Sequence, residues 1–258
     1  MLKRIKKDKL DVLVFENRQS LGLAASKSVS AKFKELLAIK PAINVIFAAA
    51  PSQNEFLAAL VADQTIKWDR INAFHMDEYL GLPADAPQGF GNFLKAKLFT
   101  LVPFASVNYL NGNVASFKDE CRRYSDLLLN NPPDVVCMGI GENTHIAFND
   151  PHIADFNDPE TVKIVNLDLA CRQQQVNDGC FNTLSEVPEF ALTLTIPALI
   201  SAPYIFCMVP GKNKAAAVTH TLTKPVSETY PSTILTTHNA TMLFIDADSY
   251  SQLSEQYV

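Results

Sequence analysis

Four polar clusters hold the residue types that proton transfer and anion binding require. The first is His75-Met76-Asp77-Glu78-Tyr79. Two adjacent carboxylates following an apolar run are costly to bury unless they are paired or used. They offer a general base, and a solvated turn is the plain alternative. His75 and Asp77 are metal-ligand types, but no spaced histidine partner supports them, so no metal is expected. The second cluster runs from Gly139 through Gly141, Glu142, Asn143, Thr144 and His145 to Asp150-Pro151. Its glycines allow a ligand close to the backbone. His145 can exchange a proton near neutral pH, and Asp150 can orient it. The third is Ala49-Ala50-Pro51-Ser52-Gln53, where Ser52 with Glu55 three residues on reads as a capped helix start. The fourth is Pro210-Gly211-Lys212-Asn213-Lys214, a second helix start carrying two ammonium groups. Two helix starts and a lysine meeting at one point would suit a phosphate.

Those clusters need elements to carry them. Apolar runs at 12–15, 43–48, 71–74, 135–140, 162–165, 191–195, 204–209 and 242–245 read as strands. Helical spacing appears over 18–40 (Leu21, Ala25, Val29, Phe33, Leu37), over 53–62, after Phe117 and over 212–222. Strands alternating with helices indicate an α/β fold, Rossmann-like, with a mostly parallel sheet covered on both faces. Such folds place their sites on loops at the carboxyl ends of strands, where all four clusters lie. Loops are expected at 81–91 and 149–159.

The bulk properties narrow the partners. The chain has 258 residues, 48% hydrophobic and 19% charged, enough to bury a large core, and one domain over 1–258 is expected. Its net charge of -5, from 22 basic and 27 acidic residues, lacks the basic footprint of a nucleic-acid binder. The basic first ten residues lead into no apolar signal region and read as a solvated tail. No run approaches the roughly 18 apolar residues of a membrane span. Five cysteines without a CxxC pair point to a reduced, cytoplasmic protein rather than a disulfide framework or zinc knuckle. Monomer and homo-oligomer both fit this composition.

The segments NAFHMDEYLGLP, NYLNGN and GIGENTHIAFNDP resemble, in order, those of the glucosamine-6-phosphate deaminase/isomerase family. The start PGKNKA is similar to that family's G-x-x-K-A segment, and the likeness covers about residues 10 to 250. The related 6-phosphogluconolactonases usually read GHTASLFP where this chain has THIAFNDP. The resemblance implies a Rossmann-like fold and an aldose–ketose isomerisation of an amino-sugar phosphate with loss of ammonia, with no cofactor. It implies Asp77 as the proton-transfer base and His145 as the ring-opening acid/base, oriented by Asp150 where the family usually has Glu. It places Lys214, Ser52 and Gln53 at the phosphate, with Glu78, Gly141 and Thr144 also lining the substrate.

Several positions depart from the family's pattern. The glycines of the phosphate loop are replaced by Ala49-Ala50-Pro51-Ser52-Gln53. Asn143 stands where the family has Asp in the ring-opening group, and Thr144 where it has Gly. An Asn143→Asp variant is therefore expected to keep or raise ring opening. The arginine of an A-R-F-F-like stretch is replaced by Asp178-Gly179-Cys180-Phe181, and Arg172 is the expected substitute in the pocket. Another sugar-phosphate isomerase, a lactonase or a non-catalytic sugar-phosphate binder are the alternatives on this scaffold.

Overall fold

The apolar runs do form strands, in two sheets rather than one. The computed structural model describes residues 1–253. Its strands are β1 (Lys3–Lys7), β2 (Leu10–Phe15), β3 (Ile43–Phe47), β4 (Ile71–His75), β5 (Asp77–Tyr79), β6 (Ser106–Asn108), β7 (Val135–Met138), β8 (Val162–Asn166), β9 (Phe190–Leu194), β10 (Tyr204–Val209) and β11 (Thr241–Asp246). Its helices are α1 (Arg18–Leu37), α2 (Asn54–Val61), α3 (Phe90–Leu94), α4 (Phe117–Asn130), α5 (Leu169–Asn177), α6 (Ile196–Ile200), α7 (Ala215–Thr223) and α8 (Ala247–Tyr250). Among the described residues, no helix is long and apolar enough to cross a membrane.

The main sheet has the order β1-β2-β11-β10-β7-β3-β4-β6 and is parallel except for the β1–β2 hairpin. Its central strands are buried along their length, which is why they read as continuous apolar runs rather than alternating ones. From β3 the chain steps outward to β4 and β6, then returns to β7 on the other side of β3. The order therefore reverses between β3 and β7, and the loops leaving their carboxyl ends part to form a crevice there.

Two expectations are corrected. The basic residues 1–10 are not a free tail: Lys3–Lys7 pairs antiparallel with β2, from Lys3 opposite Val14 to Lys7 opposite Leu10. Ile5 packs on the core, while Arg4 and Lys6 turn outward to Asp11. Charge along this strand hid its alternation, and the same lysines protect an open sheet edge from pairing with other chains. The apolar runs at 162–165 and 191–195 do not join the parallel sheet. They form an antiparallel sheet of order β5-β9-β8, whose outer strand is the segment that opens on Asp77.

His75 ends β4 fully buried, and its Nε2 accepts the Leu110 N–H at 2.9 Å. Burial lowers its pKa from 6.5 to about 4, against the opposing pull of the Asp77 backbone and the Glu120 charge. The unfolded chain therefore takes up this proton first. The contribution of His75 is complete above pH 6.5 and is lost as pH falls through 4, about 3 kcal/mol in all. Urea midpoints measured from pH 7 to pH 4 should fall more steeply for the wild type than for His75→Asn. Parallel curves would refute the assignment.

Candidate active site

β5 opens immediately after β4, and strand alternation sends Asp77 and Glu78 to opposite faces. Asp77 faces a narrow cavity of about 60 Å³ that is also lined by Ser52, Gly139, Gly141, His145 and Lys214. Among the described residues, no group donates a hydrogen bond to its carboxylate. Burial pushes the Asp77 carboxyl well above the usual carboxylate range, and the Glu78 charge adds to the effect. It is thus a stronger and less solvated base than an exposed aspartate. Glu78 does not line this cavity, contrary to expectation. It accepts the backbone N–H groups of Tyr79 (3.0 Å), Phe90 (3.0 Å) and Gly91 (2.8 Å) and borders a separate cavity of about 790 Å³. Its work is to pin the start of α3, which holds Phe90 stacked on Phe148 as the aromatic wall beside Asp77.

His145 lies on the loop after β7, in contact with the Gly141 backbone. A Cβ placed on Gly141 would sit 2.2 Å from His145 Nε2, so only glycine leaves room for the ring. Thr144 takes φ 71 and Ala147 φ 49 to turn the chain around the histidine. The first value explains the glycine usual at 144, since a β-branched residue is strained there. The Thr144 hydroxyl donates to the Asn143 carbonyl at 2.5 Å and does not reach the cavity, so its expected contact with substrate is not formed.

Asp150 is fully buried behind the imidazole, its Oδ1 3.1 Å from His145 Nδ1, a close contact rather than an in-line hydrogen bond. Burial would raise its pKa, but His145 and the hydrogen bonds from Asn143 and the Asp168 N–H hold it below the usual range. Asn143 is the bridge. Its Nδ2 donates to Asp150 Oδ1 and to Asp168 Oδ2, both at 3.0 Å, and its Oδ1 accepts the His145 N–H at 3.1 Å. Both Nδ2 partners are acceptors and the Oδ1 partner is a donor, so the amide has only one workable orientation. Asp168 also caps α5 by accepting the Cys171 N–H at 2.6 Å. A carboxylate at 143 would face two others and donate to neither, which argues against the expectation that Asp keeps or raises ring opening there.

Ser52 lines the cavity but does not cap a helix. The turn Pro51–Gln53 is 3₁₀, α2 starts only at Asn54, and Glu55 pairs with Arg18 at 2.7 Å. Gln53 is buried, and its Nε2 donates to Ser52 Oγ (3.1 Å) and to the Met208 carbonyl (3.2 Å). Lys214, on a 3₁₀ turn before α7, is 4% exposed and lines the same cavity. Arg172 does not. Its guanidinium donates to the carbonyls of Leu184 (3.0 Å) and Val187 (2.8 Å), securing the segment after α5. Sequence reasoning missed Gln174 and Gln175, which α5 projects into the cavity. Their signal was a run of three glutamines at helical positions, two of them buried.

His145, Asp150 and Cys171 bring one ligand atom each to within 4.8 Å of the others. This donor set does not suit a metal. The Asp150 oxygens already accept from Asn143 and Asp168, and burial together with the Asp150 and Asp168 charges pushes the Cys171 thiol well up, keeping it protonated.

The profile of the family described as glucosamine-6-phosphate isomerases/6-phosphogluconolactonase matches residues 16–244. Glucosamine-6-phosphate deaminases of Bacillus thuringiensis (strain Al Hakam) and Bacillus cereus (strain AH820) are each 29% identical to it over 248 residues, covering 95% of this chain and 90% of theirs. A solved monomeric glucosamine-6-phosphate deaminase superposes with TM-score 0.86 at 27% identity, over 94% of this chain and 99% of that one. A 6-phosphogluconolactonase from Thermotoga maritima shares the fold, with TM-score 0.75 at 21% identity over 92% of this chain and 100% of its own. With most of its length matched, and with the crevice at the strand reversal holding the family's MDEY and histidine loops, this chain belongs to the glucosamine-6-phosphate isomerase/6-phosphogluconolactonase family.

Proposed function

We propose that this chain converts a 2-amino-2-deoxyhexose of the glucosamine 6-phosphate type, or a close epimer, into the ketose and ammonia. One observation carries the reading: a buried, unpartnered carboxylate, Asp77, shares a narrow cavity with an imidazole, His145, that is backed by a fully buried Asp150. His145 gives a proton to the ring oxygen and takes one from the anomeric hydroxyl as the C1–O5 bond breaks, which opens the hemiacetal to the aldehyde. Asp77 then takes the C2 proton of the open aldose and returns it to C1 through an enol-type intermediate, leaving an imine at C2. Water adds to that imine, and ammonia leaves as the ketone forms. A placed base and a polarised oxygen are all that the 1,2-shift needs.

The test is purified protein with glucosamine 6-phosphate, galactosamine 6-phosphate and the two free amino sugars, with ammonia and ketose followed together. Both products from one member are expected. Ketose without ammonia would mean a plain isomerase. Neither product would sink the reading.

A further inference from the structure

The Lys214 end of the cavity is poorly built for a phosphate. Lys214 is the one lysine or arginine that lines it among the described residues. Its ammonium lies within reach of the Asp178 and Glu142 charges, which offset part of the depression of its pKa by burial. Those carboxylates are held in place: Asn213 donates to Glu142 Oε1 (2.9 Å) and Asp178 Oδ1 (3.4 Å), and Gln174 donates to Asp178 Oδ2 at 3.3 Å. One cation lines the cavity and two carboxylates outside its lining oppose that charge, which leaves little net positive charge for a dianion. Arg172 is turned away and Lys212 is exposed, so neither corrects the balance.

The backbone does little to help. Pro51 has no N–H, and the Gln53 N–H is closed onto the Ala50 carbonyl at 2.9 Å. The Gly211 N–H, at the second helix start, is spent on the Asp246 carboxylate at 3.0 Å. A phosphate cradle needs several such groups free and converging.

Gln53 shows what the site wants instead. It is 1% exposed, and the Met208 carbonyl can only accept, which fixes Nε2 as the atom facing it. Gln53 Oε1 is therefore an acceptor, and it is buried without a partner. A phosphate dianion has no proton to offer it, whereas a hydroxyl does. Gln53, Gln175 and Ser52 line this cavity together with Lys214, so a hydroxyl there meets neutral amide and hydroxyl groups beside a single ammonium.

We propose that this end of the cavity binds an unesterified sugar hydroxyl rather than a phosphate dianion, so that the substrate is a free 2-amino sugar. The inference deepens the deaminase/isomerase reading and rests on it for the identity of the sugar, but its test does not depend on turnover. Calorimetric titration of the wild-type protein with glucosamine and with glucosamine 6-phosphate should show the free sugar binding at least about tenfold tighter, and inorganic phosphate should not displace it. Asp178→Asn removes one opposing charge and should narrow the preference several-fold. Equal or tighter binding of the ester, or no binding of either sugar, would overturn the proposal. If the free sugar binds tighter and yet yields no ammonia or ketose, the subsite assignment stands and the deaminase/isomerase reading falls.

Discussion

Asp77→Asn should lose turnover by roughly 10²–10⁴-fold while keeping its ligand affinity, because the substitution removes the base and little else. Asparagine is nearly isosteric with aspartate, and among the described residues no hydrogen bond to the Asp77 carboxylate is there to be broken. The loss should therefore fall on kcat, with KM changed by only a small factor. The wild-type pH profile carries the same signature. Burial and the neighbouring Glu78 raise the Asp77 pKa, so the acid limb of kcat/KM should lie above the range of an ordinary carboxylate. A lactonase has no C2 proton to move and needs only a placed water. Turnover of Asp77→Asn close to the wild type would therefore remove Asp77 from the chemistry and, with it, the isomerisation.

Asn143→Asp should abolish most activity and destabilise the fold, although it restores the residue type usual in the family. Asn143 now supplies both N–H bonds that separate Asp150 from Asp168. A carboxylate there removes those donors and adds a third negative charge beside a fully buried Asp150. Breaking such contacts costs about 3 kcal/mol or more. The damage should also reach His145, because Asp150, which loses its Asn143 donor, faces the imidazole Nδ1. We expect ammonia release to fall by about 100-fold at neutral pH, with partial recovery on acidification as one carboxyl takes a proton. The urea midpoint should drop in parallel. Activity at or above the wild-type level would mean that the network tolerates the charge, and that the amide does not position the histidine.

Asn143 also shows where reading the sequence stops. Its departure from the family was visible, as was its spacing of two from His145. That it answers to Asp168, twenty-five residues away on another element, was not visible. The two residues meet because β8 leaves the main sheet and delivers the start of α5 to the loop after β7. Asp168 then serves as an N-cap and as the far end of the Asn143 bridge, and only the cap is a local pattern.

The sequence by itself determined the strand–helix alternation, the apolar central strands and the placement of Asp77, His145 and Lys214 just past strand ends. These are local properties, set by the period of the apolar residues and by which residue follows the last buried one. Tertiary structure alone decided the rest. Glu78 faces away from Asp77 because β5 pairs with β9 instead of ending in a turn, which imposes alternation on two adjacent acids. Arg172 is drawn off to the carbonyls after α5 and leaves Lys214 as the cavity's cation. The basic first residues become an edge strand only because β2 is there to pair with them. Each of these outcomes depends on partners distant in the chain, and the energy of such a contact is not written in either partner's own neighbourhood.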